Sequence, residues 1–164
     1  MRQFFLLFIL SFTLHLSAQD WRVPTDVNYE NDDDYRAQQD DIVAAVDYLM
    51  QTPLNKNPHK RKMVNAYLLK WLTGTPTVTL TLHSELASYG ECSDCLLLYM
   101  GAYAKHHMAN PDAPTSELNF LAVNDVITFY EANCDAIGKQ KPVEKMIKMK
   151  KKGKLREWVE EIGE

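Results

Sequence analysis

Few residues in this chain have side chains able to do covalent or metal chemistry: three cysteines, Cys92, Cys95 and Cys134, and a handful of histidines, of which His83, His106 and His107 lie nearest to them in sequence. Cys92-Ser93-Asp94-Cys95 has the spacing of a dithiol redox centre and stands where a helical pattern begins. The positive end of a helix lowers a thiol pKa and favours the nucleophilic thiolate. Thioredoxin-type exchange also needs a strand that feeds closely into the motif within a βαβ sheet. Here residues 83–91 separate the pair from the one strand-like run, and everything after Cys95 has helical spacing. Thiol-disulfide exchange through Cys92 and Cys95 is therefore the alternative reading. Pairing for stability is preferred, because cysteines tend to pair in an oxidising compartment. Three pairings are open, and a bridge from Cys134 to Cys92 or Cys95, between antiparallel helices, is expected over a local 92–95 ring.

Metal and cofactor chemistry fare no better. Cys95 and His106 share a helix face but stand ~16 Å apart at 1.5 Å per residue, whereas a zinc ligand lies ~2.0–2.3 Å from its ion. Leu96 follows the second cysteine where covalent haem attachment requires histidine. The N-terminal aspartates lack the spacing of a calcium loop, and no nucleophile elbow or phosphate-cradling glycine loop occurs. No catalytic residue, cofactor or metal is expected. His106 and His107 fit the end of a helix, with one ring on its terminal carbonyls.

The elements that must position these residues begin behind a leader. Arg2, the apolar run from Phe4 to Leu16 and Ser17-Ala18-Gln19 have the three parts of a secretory signal over residues 1–19. The apolar run is shorter than the ~20 residues of a membrane-spanning helix. A periplasmic or secreted location is expected. Loss of Arg2 would leave the chain more acidic than its formal charge of −4, which argues against nucleic acid as a partner.

Residues 20–36 mix Asp, Asn, Tyr and Pro without periodicity and read as an acidic, loosely held arm. The remainder, 37–164, reads as one all-α domain: a compact array of five to six antiparallel helices, as an irregular bundle or stacked hairpins. Ile42, Ala45, Val46, Leu49 and Met50 mark the first helix, begun by Asp40 and Asp41 and closed by Pro53. The second opens at Asn57-Pro58, with the Asn57 side chain as cap, and carries Val64, Tyr67, Leu68, Trp71 and Leu72 inward; Lys60, Arg61, Lys62 and Lys70 fall largely outside. Gly74 is expected to end it in a left-handed conformation. Residues 77–82 alternate Thr with Val78, Leu80 and Leu82 as a strand would. No second run offers a pairing partner, so an extended connector laying three apolar side chains on the helices is expected. A third helix over 93–108 is apolar nearly all round, with Gly101, Ala102 and Ala104 as a thin side for a close neighbour. A fourth runs from Thr115 to about Cys134, a fifth starts at Pro142, and Gly153 separates it from a last one holding Leu155, Trp158, Val159 and Ile162. The aromatic set Tyr67, Trp71, Tyr99, Tyr103, Phe129 and Tyr130 lies on the apolar stripes and is expected in the core.

Charge is segregated. Nine acids stand against Arg22 and Arg36 over residues 20–50. Eight lysines (139, 141, 145, 148, 150, 151, 152 and 154) stand against Glu144 over residues 139–154. Lys145, Lys148, Lys150, Lys151, Lys152 and Lys154 form the candidate interaction face, for a protein partner or, alternatively, for anionic lipid at a membrane surface. The run Tyr67-Leu68-Leu69-Lys70-Trp71-Leu72-Thr73-Gly74-Thr75-Pro76, with Leu98-Tyr99-Met100 and the lysine-rich tail, resembles a group of small exported helical proteins of Gram-negative bacteria, over about residues 40–160. That resemblance implies export and a helical fold, and no activity. The expected function is a non-enzymatic interaction or structural module of the cell envelope.

Overall fold

Periodicity of three and four translates into helices in the computed structural model, which describes residues 21–163. The leader lies outside the described residues. In chain order the helices are α1 (Asp32–Arg36), α2 (Gln39–Gln51), α3 (Pro58–Leu72), α4 (Ser93–Ala109), α5 (Thr115–Ile137), α6 (Lys141–Lys151) and α7 (Leu155–Gly163). No strand occurs among the described residues. The fold is an all-α array, with α1 added to the helices that the spacing predicts.

The α4–α5 hairpin is the centre. α2 and α3 pack on α4, whereas α6 and α7 pack on α5. Gly101 permits the close approach of α4: a Cβ there would lie 2.8 Å from Leu68 Cδ2 and 3.0 Å from Val46 Cγ2. The six aromatic residues assigned to the core are all buried. Residues 73–92 carry the chain from the end of α3 back to the start of α4, so the two helices begin beside one another at Arg61 and Asp94. Val78 and Leu80 pack on the core along this return. Leu82 does not; it is 48% exposed, so the connector lays down two apolar side chains rather than three. Further on, Leu86 and Tyr89 are buried anchors that periodicity gives no sign of.

The acidic arm differs most from its expectation, because it is docked. Trp21 Nε1 donates to Asp41 Oδ1 at 2.8 Å. Lys60 and Lys70 of α3 each donate to an arm carbonyl, of Trp21 at 2.6 Å and Val27 at 2.8 Å. Tyr29 stacks on Tyr35 with ring centroids 4.3 Å apart, and Trp71 Nε1 donates to the Tyr35 carbonyl. Asn31 and Asp34 form a reciprocal capping box that starts α1. Side-chain bonds to backbone follow no period, which is why the arm reads as loose from its residues alone.

Two helix ends also differ. Asn57 is itself left-handed at φ 52° and makes no side-chain capping bond. A capping side chain needs an extended backbone to reach the first-turn N–H groups. Gly74 is not left-handed; the described glycines with positive φ are Gly90, Gly138 and Gly153. Gly74 is instead required by proximity, since a Cβ there would meet Tyr35 Oη at 1.9 Å.

Candidate functional site

The cysteine motif caps a helix. Cys92 is the N-cap of α4, and its sulfur accepts from Cys95 N–H at 3.2 Å. One turn brings the two together at a Cα separation of 5.2 Å, and they form a disulfide. This corrects the expected bridge from Cys134 to Cys92 or Cys95. Cys134 is free and exposed. It follows Asn133, which faces inward, and a further 100° of helical rotation turns it to solvent. The ring itself is covered: Cys92 is 6% exposed and Cys95 0%.

Asp94, inside that ring, accepts from Arg61 Nη1 at 3.4 Å and from Asn65 Nδ2 at 3.3 Å. Arg61 is buried, contrary to its expected place outside. Its Nη2 donates to the carbonyls of Leu49, at 3.2 Å, and Thr52, at 2.5 Å. These are carbonyls at and just beyond the end of α2, groups that a helix leaves without internal donors. One guanidinium therefore ties the end of α2 to the starts of α3 and α4. A buried arginine in the middle of the Lys60-Arg61-Lys62 run carries no sequence signal.

The histidines form no metal cluster; none occurs among the described residues. His106 turns away from the terminal carbonyls of α4 and meets Asp125 Oδ2 of α5 at 2.8 Å.

The lysine-rich segment is different in kind. Lys145, Lys148, Lys150, Lys151, Lys152 and Lys154 are all exposed. Among the described residues none of them forms an ion pair. Lys141, Lys145, Lys148 and Lys152 recur at four, three and four, which places them in one stripe along α6. At its first turn this stripe borders a groove of about 350 Å³, between Glu85 and Ser88 of the connector, Lys141, Pro142, Lys145 and Met146 of α6, and Trp158 of α7. Lys145 Nζ stands 5.7 Å from the Trp158 ring centre.

The connector wall of the groove is held firmly. Leu86 and Tyr89 are its buried pegs, and Tyr89 packs on Tyr99 with centroids 5.8 Å apart. Burial raises the pKa of the Tyr89 and Tyr99 hydroxyls. Gln140 Oε1 accepts from Glu91 N–H at 3.0 Å. Gly90, at φ 65°, leaves the space for it, since a Cβ would lie 2.3 Å from that oxygen. Gln140 N–H in turn donates to Tyr130 Oη, which donates to Glu144 Oε1. On the rim, the Ser84 hydroxyl donates to Glu85 and lowers its pKa. The lysines of this site are legible in the sequence. Glu85, Ser88 and Trp158 come to them only through the folded connector and α7.

A second groove, of about 540 Å³, lies between the arm and the α2–α3 junction. Lys60 crosses it to the Trp21 carbonyl and stands 4.8 Å from the Tyr48 ring centre. No helix among the described residues is long and apolar enough to cross a membrane. The chain matches no protein-family model, no curated protein and no solved structure.

Proposed function

We propose that this is an exported, non-enzymatic helical module of the cell envelope that binds a protein partner through Lys145, Lys148, Lys150, Lys151, Lys152 and Lys154. One observation carries this reading: the six ammonium groups are exposed and without ion pairs among the described residues, in a chain whose net charge is −4. Concentrated charge of one sign steers and orients a partner of the other sign. The resemblance to small exported helical proteins agrees with the placement in the envelope. The alternative of thiol-disulfide exchange is weakened by burial, because a thiolate must reach a disulfide sulfur in line and the 92–95 ring is covered.

Cross-linking in the intact envelope, followed by mass spectrometry, tests the reading. Wild type is compared with a variant carrying Lys148→Glu, Lys150→Glu, Lys151→Glu and Lys152→Glu. A partner captured by wild type and lost by the variant is expected; the same captured set from both would refute the basic face.

A further inference from the structure

The lysine stripe and the groove at its first turn are continuous, and together they describe a more particular ligand than "something acidic". Resting on the reading above, we propose that this surface seats an extended acidic peptide segment of the partner, with one apolar side chain in the groove and carboxylates along the lysine stripe.

The floor of the groove is apolar and fixed. Met146 is 2% exposed, and the half-buried Trp158 ring and Pro142 complete the apolar lining. A volume of about 350 Å³ is at the small end of ligand pockets, which run ~300–1,000 Å³. That suits one side chain rather than a folded element. Tryptophan is also among the residues that most often carry the binding energy of protein interfaces.

The rim fixes the charge pattern. Lys141 and Lys145 stand on the α6 side, and Glu85 opposes them on the connector side. Glu85 is an exposed carboxylate, ionised at neutral pH as any such group is, so a peptide carboxylate is drawn to the α6 side and repelled from the other. From Lys141 to Lys152 the stripe spans ~16 Å at 1.5 Å per residue. An extended chain rising ~3.3 Å per residue covers that length in about five residues. The ligand is thus a short strand-like segment: an apolar residue first, then acids placed against Lys145, Lys148 and Lys152.

A bilayer fits this surface poorly. Interfacial binding needs apolar side chains that project outward beside the basic ones. The exposed large apolar residues among those described are Leu69 on α3 and Leu82 on the connector, neither of them on α6. What α6 offers beside its lysines is concave.

Fluorescence anisotropy with the full chain and a fluorescein-labelled peptide Phe-Asp-Glu-Asp-Glu, at low ionic strength, tests the assignment. Ser88 is exposed, so Ser88→Trp fills the groove without altering a charge or the core. Ser88→Trp and Lys145→Glu are each expected to weaken binding about tenfold, as does a peptide with Ser in place of Phe. Glu85→Gln is expected to tighten it about threefold by removing the opposing carboxylate. Equal binding by wild type and Ser88→Trp, or by the Phe and Ser peptides, would overturn the proposal. So would absence of peptide binding alongside binding to phosphatidylglycerol vesicles, which would assign the face to a membrane. The envelope cross-linking experiment separates the two claims. Partner capture that survives Ser88→Trp but not the lysine reversals retains the basic face and removes the groove; capture that survives both removes the basic face as well.

Discussion

The two charged ends of this chain mirror one another in sequence and part company in the fold. In the acidic N-terminal stretch, carboxylates have internal work. Asp34 closes a capping box, Asp41 receives the Trp21 indole, and Asp47 receives Lys105. The lysines near this stretch are drawn in too, with Lys60 and Lys70 on arm carbonyls. The C-terminal lysines have no such duties. Lys145 lies over the Trp158 ring of the groove, and the rest of the candidate face stands in water. Two runs of like charge therefore differ in what holds them: one is fastened by hydrogen bonds to its own fold, and the other is merely displayed. Charge that a fold uses for its own assembly is unavailable to a partner, so the displayed run is the better candidate for recognition.

The comparison is most sharply broken or upheld at Arg61, a cation of the fastened kind. Arg61→Ala removes the donors of the Leu49 and Thr52 carbonyls and the partner of Asp94. Stranding partly buried groups in this way costs about 3 kcal/mol. Urea denaturation should show the loss as a lower midpoint, with Arg61→Lys recovering only part of it because an ammonium lacks the planar fork. A variant within 0.5 kcal/mol of wild type, the usual range for a surface substitution, would show that Arg61 is merely displayed too.

Arg61 also shows where the sequence stops being legible. Helices of nine or more residues are read correctly because their apolar faces repeat along the chain, as Ile42, Val46 and Leu49 do. The connector over 77–82 is read as extended because an alternating run with no partner cannot form a sheet. What escapes is whatever depends on one residue meeting a distant backbone atom. Arg61 on the Thr52 carbonyl, Lys70 on the Val27 carbonyl and Tyr35 over Gly74 leave no periodic trace. The site divides in the same way: its lysines are visible as a run, whereas Glu85 and Ser88 join them only because Leu86 and Tyr89 peg the connector down.

A smaller effect is expected from the 92–95 ring, which lies on the fastened side. Closing so short a loop removes little freedom from the unfolded chain, about 2 kcal/mol in the chain-entropy account. Cys92→Ser combined with Cys95→Ser should lower stability by about that amount in urea. Because Asp94 sits within the ring and holds Arg61, the loss should not add to that of Arg61→Ala. A double-mutant cycle would show coupling of at least about 0.5 kcal/mol if the ring positions the carboxylate. Strict additivity would mean that ring and guanidinium stabilise the fold independently.

The smallest expected change in stability is at the lysines, and there the smallness is informative. Lys148, Lys150 and Lys151 lie in the last turn of α6, where positive charge offsets the negative end of the helix dipole. Reversing them should therefore cost a few tenths of a kcal/mol, and no more, since no ion pair among the described residues is broken. An opposing contribution comes from relieving repulsion among crowded ammonium groups, and it fades as salt rises. The net change in urea midpoint should thus be near zero and should depend on ionic strength, while partner capture falls. Loss of stability comparable to that of Arg61→Ala would mean that these lysines are fastened after all. Their display, and with it the case for a partner at this end, would then be lost.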